Sequence, residues 1–143
     1  MHRAMVLLWV GVGLPFVLSI VLGGPDGLAP HLVFHLVYTG LLIVGLVGAL
    51  LLWSATPVRV MRGLSVALVL VCLAAIAGNL GEAVAVAQNG GLDAGAAVYD
   101  VSLHVDSARI TVPAIMFSVV LLAVTTIVAT RLDRRGALVV TRP

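Results

Sequence analysis

The sequence predicts an all-α fold: a polytopic integral membrane four-helix bundle with both termini in the cytoplasm. Three observations carry that reading. The first is composition: of 143 residues, 62% are hydrophobic and only 10% charged, against roughly 25% charged in a soluble domain. The second is segmentation, with four apolar stretches each long enough to cross about 30 Å of hydrocarbon. The third is charge placement, because the arginines and the acids fall into alternate connections along the chain. The length suits one membrane domain, residues 1–143, rather than two.

The first span is expected over residues 5–22. It follows His2 and Arg3 and is apolar apart from Ser19. A signal peptide has the same plan, but GLA before Pro30 lacks the A-x-A pattern, so an uncleaved span is expected. Pro15 is a candidate kink, tolerated where neighbours satisfy the freed carbonyl. GGPDGLAP (23–30) reads as a tight turn. The second span, 31–53, begins HLVFH and then runs apolar to Trp53. Gly45 and Ala49 form a small-x-x-x-small pair there, of the kind that lets helix backbones approach closely in lipid. ATPVRVMRG (55–63) is a loop. The third span, 64–88, turns polar in its last third at Asn79 and Glu82, and carries the small pairs Ala74/Gly78 and Ala77/Gly81. Asn89, Gly90 and Gly91 stop it, since these residues adopt left-handed conformations at little cost.

Residues 92–110 form an external cap. Val101–Asp106 alternates apolar and polar, as an extended strand does, yet Asp100, His104 and Ala108 share one helical face. A lone strand has nothing to pair with, so helix is favoured. The fourth span covers 111–131, with Pro113 near its outer end, and 132–143 is a basic tail.

Four spans put both termini on one side. Arg3, Arg59, Arg62, Arg131, Arg134 and Arg135 then share that side, while Asp26, Asp93, Asp100 and Asp106 share the other. The positive-inside rule makes the arginine side cytoplasmic. All eight basic residues are arginine, and the Ala/Val/Leu/Gly-rich remainder points to a GC-rich genome and a bacterial or archaeal inner membrane. No basic face with interleaved aromatics occurs, so the expected partners are the lipid bilayer and other membrane subunits or a second copy, not nucleic acid. Cys72 is the single cysteine, has no internal disulfide partner, and reads as a small core hydrophobe.

Height along the helices gives the polar residues a common address. At about 1.5 Å per residue, His35 stands roughly 28 Å above Ser54, Asn79 and Glu82 about 25 and 30 Å above Arg62, and Arg109 about 33 Å above Arg131. His31, Asp100, His104 and Asp106 lie just above them. His31 and His35 share a helical face, and Asp100 with His104 repeats the spacing.

Imidazole with carboxylate suits copper, zinc or iron, whereas so few carboxylates argue against calcium. A metal site drawn from His31, His35, Glu82 and His104 has an acceptable ligand count. The glutamate of HExxH is absent, which leaves the histidine pair a weak signal by itself. A b-type haem held by His35 and His104 is a less favoured alternative, and covalent haem is excluded because no Cys-x-x-Cys-His occurs. Glu82 has a competing structural expectation, an ion pair with Arg109 that joins the third and fourth spans. No nucleophile motif, phosphate loop or catalytic dyad appears, so an enzyme is not the first expectation. The serines and threonines in the spans are expected to bond helix carbonyls. The sequence therefore ranks a non-catalytic subunit or accessory protein of a membrane assembly first. A transition-metal or haem-binding membrane protein comes second, and a membrane enzyme acting on a lipid or quinone third.

Overall fold

The computed structural model describes residues 1–21 and 30–135. All but Pro30 of the expected turn at 23–30, and the end of the basic tail, 136–143, lie outside them. Four helices, each long and apolar enough to cross a membrane, account for most of the described chain: α1 (His2–Val21), α2 (His31–Ala55), α3 (Arg59–Gln88) and α4 (Ser102–Arg134). Among the described residues there is no strand.

α1 is not uniform. A π-helical turn, Trp9–Gly13, interrupts it immediately before Leu14 and Pro15. Proline has no N–H for the carbonyl one turn below it, and a widened turn is one way a helix absorbs that loss. α1 then leans on α2 at Gly11 and Gly45, where a side chain on Gly11 would strike the Gly45 backbone. Gly48 repeats the contact one turn lower, against Ala4 and Leu8. Gly40, by contrast, faces open space. Close packing thus selects particular glycines of α2 rather than all of them.

α3 is the central element and packs along both α2 and α4. It starts at Arg59, inside the stretch expected as a loop, with its first-turn arginines exposed and Gly63 in open space. Below it, Arg62 Nε donates to the Thr56 carbonyl at 2.8 Å and ties the connection to the helix. Gly90 ends α3 with φ of 117°, a left-handed position that glycine takes without strain.

The expected cap resolves into two short 3₁₀ turns, Gly91–Asp93 and Ala96–Asp100, followed directly by α4. With only the capping Val101 extended, Ser102–Asp106 is therefore helical. Its buried positions His104, Ser107, Thr111, Ala114, Ser118 and Leu122 recur at three- and four-residue steps and bind it into one helix face. α4 continues through Pro113. The carbonyl that loses its partner there belongs to Arg109, near the water-facing end.

The interior is layered. At the arginine-rich end Ala4, Leu8, Leu52, Met61, Leu68 and Ala129 join one apolar cluster, with Cys72 buried among them. A smaller cluster of Tyr38, Leu42, Ala75 and Ala114 follows. Hydroxyls within the spans are satisfied locally, for example Ser65 on Met61, Thr111 on Ser107 and Thr125 on Leu121, as expected. Above the second cluster the core changes character and becomes polar.

Candidate metal centre

His31 is the first residue of α2, and Pro30 immediately precedes it as the N-cap. Proline sets the backbone for helix entry, so the helix begins with an imidazole already on its inner face. His35 follows one turn later, and the two rings stack with centroids 4.9 Å apart. α4 supplies His104 within its first turn, since Val101 caps it at Ser102. The His104 ring meets His31 and His35 edge-on, at 5.4 and 5.9 Å. One nitrogen from each of the three lies within 4.8 Å of the other two, and all three residues are buried.

Asn79 fixes the chemistry of His35. Its amide nitrogen donates to the His35 carbonyl and to Thr39 Oγ1, each at 2.7 Å. A carbonyl is only an acceptor, so the amide orientation is determined and Oδ1 must point the other way. Oδ1 lies 2.8 Å from His35 Nδ1, and that nitrogen therefore carries the proton. The lone pair of His35 is left on Nε2, inside the cluster.

Glu82 comes from α3, one turn above Asn79 on the same buried face. Its Oε2 is 3.8 Å from His104 Nε2, and the carboxylate is 7% exposed. Among the described residues, His35 Nε2, His104 Nε2 and Glu82 Oε1 have no hydrogen-bond partner. Each such buried atom costs about 1–3 kcal/mol unless something else satisfies it.

Of the four residues expected as ligands, His31, His35 and His104 form this group, and Glu82 borders it on the His104 side. The expected Glu82–Arg109 pair does not form. Arg109 Nη1 instead donates to Asp106 Oδ1 at 2.9 Å, and both side chains are largely exposed. The reason is helical phase: His104, Ser107 and Thr111 define the inward face of α4, and Arg109 lies off it. Asp100 is exposed and takes no part in the cluster.

Two contributors escape a spacing argument. Tyr99, in the second 3₁₀ turn, sets its ring 5.0 Å from His31 and 5.1 Å from His104. Its only sequence signal is an aromatic residue among small ones. Asn79 stands out as a polar residue at the right height, but its hydrogen bonds to α2 depend on how two helices face each other. Compared with known proteins, the chain matches no family model, no curated relative and no solved structure.

Proposed function

We propose that this chain is a small four-span membrane protein that binds a first-row transition-metal ion through His31, His35 and His104. Glu82 is either the fourth ligand or the base beside an open coordination position. One observation carries the reading: three buried imidazoles converge with one nitrogen each within 4.8 Å of the others, and beside them His35 Nε2, His104 Nε2 and Glu82 Oε1 have no hydrogen bond. A dication answers all of those groups at once, and it neutralises a carboxylate that is expensive to bury alone.

Three imidazoles and one carboxylate are a donor set shared by zinc, copper(II) and iron(II). Metal–nitrogen bonds of about 2.0–2.1 Å in a tetrahedron put the nitrogens about 3.3 Å apart. The present spacing of up to 4.8 Å closes by modest side-chain rotation. The Asn79–His35 hydrogen bond is the outer-shell contact that orients a ligating imidazole in metal sites. A b-type haem is less well supported, because the His35 and His104 rings already meet edge-on with centroids 5.9 Å apart, which leaves no gap for a macrocycle between them.

Titration calorimetry of the detergent-purified apoprotein with zinc tests the reading. The expected result is one saturable site per chain, lost in a His31→Ala/His35→Ala variant that keeps its helical circular dichroism. Equal zinc binding by that variant would exclude the site. Coordination needs neutral imidazole, so affinity is expected to fall as the solution is made more acidic.

A further inference from the structure

Beside the histidine cluster, all four helices enclose a cavity of about 250 Å³. Its two ends differ in chemistry. The inner end is formed by His35, Asn79, Glu82 and Thr111, which border the proposed metal site. Elsewhere the wall is apolar and partly aromatic, with Phe16 from α1 and Phe34 and Tyr38 from α2. The Phe34 and Tyr38 rings lie 5.5 Å apart. Val112 and Met116 of α4 form part of the rim, and both are more than half exposed on the outer surface of the bundle. In a membrane that surface meets lipid, so the cavity is approached sideways from the bilayer.

Size and chemistry select the occupant. A cavity of about 150 Å³ accepts benzene, and sites for whole drug-sized molecules run to about 300–1,000 Å³. The space here fits one six-membered ring with its oxygen substituents, and a longer tail would have to leave past Met116. An acyl chain would fill the apolar part but bring no donor to the unpartnered, buried Glu82 Oε1. A ring hydroxyl would.

We infer that the cavity is a binding site for a hydroquinone-class lipid, its ring among Phe16, Phe34 and Tyr38 and one hydroxyl donated to Glu82. This goes beyond the metal reading and shares with it His35, Asn79 and Glu82, while the Met116 rim lies outside the metal site, so the two can fail separately. The proposal concerns binding, and no electron transfer is assigned.

The probe is a decyl-substituted benzohydroquinone, added anaerobically to the purified full chain in nanodiscs, with its dimethyl ether as the comparison. The expected result is one saturable site per chain for the hydroquinone, with the ether binding at least tenfold more weakly for want of a donor. Met116→Trp, which places an indole at the rim, is expected to weaken hydroquinone binding at least tenfold while zinc binding stays at the wild-type value. Equal affinity for hydroquinone and ether overturns the inference, as does full hydroquinone binding by a Met116→Trp protein that still takes up zinc. Loss of zinc binding with retained hydroquinone binding would strike the metal reading alone.

Discussion

Asn79 decides what His35 can do. With both amide hydrogens committed to α2, its oxygen holds the Nδ1 proton and leaves Nε2 as a base or ligand. Asn79→Leu keeps a similar volume and removes that control. The expected outcome is a 10–100-fold loss of zinc affinity, the usual effect of removing an outer-shell partner, with the α-helical spectrum retained. Unchanged affinity would mean that His35 is oriented by packing alone. Arg109 is the opposite case. Its pair with Asp106 is exposed at both ends, and such pairs are worth about 0–1 kcal/mol. Arg109→Ala should therefore leave thermal stability and zinc affinity near wild type, whereas Glu82→Ala should weaken zinc binding. The identity of the clustered residues was legible from spacing and height, because His31 and His35 sit one turn apart and Glu82 and His104 are at matching levels. The rotational phase was not legible. Arg109 is at the right height for Glu82 but on the wrong side of α4, and height alone says nothing about side.

At the scale of elements, glycine placement governs how α1 meets α2. A Cβ on Gly45 would come within 2.9 Å of Val12 Cγ2 and 3.2 Å of the Gly11 carbonyl carbon. Gly45→Ala should destabilise the bundle by about 1–3 kcal/mol through overpacking. Gly40→Ala, with nothing in its way, should be neutral or stabilising by about 0.5–1 kcal/mol through helix propensity. Thermal unfolding of the two variants in one detergent gives the comparison directly, and equal shifts would remove the argument for a close crossing. The number of spans could be read from hydrophobic length. Their ends were harder, because α3 and α4 extend well beyond the apolar stretches. The same 101–106 residues satisfy a two-residue and a 3.6-residue repeat, and helix wins because it continues the buried face of α4 while a strand would have no neighbour.

For the whole molecule, the apolar cluster joins Ala4, Leu52, Met61 and Ala129 at one end, and the three clustered histidines lie at the other. The described arginines outside the cap gather at the first end, so under the positive-inside rule we propose that this end is cytoplasmic and the histidine cluster faces outward. Labelling of intact cells with a membrane-impermeant maleimide should modify Asp93→Cys and spare Arg59→Cys, both exposed positions, against a low background because Cys72 is buried. The reverse pattern would invert the molecule and put the cluster on the cytoplasmic side. Assembly with other membrane subunits or a second copy is a separate proposal, and spans that expose many large apolar side chains suit lipid as readily as protein.

Metal analysis combined with X-ray absorption of protein extracted without chelator shows whether the histidine cluster is a metal centre. The expected result is about one zinc, copper or iron per chain, an inner shell of nitrogen and oxygen at about 2.0–2.1 Å with imidazole scattering, and loss of that metal in the His31→Ala/His35→Ala variant. Folded wild-type protein that carries no such metal, and takes up none from added zinc, copper(II) or iron(II), would contradict it.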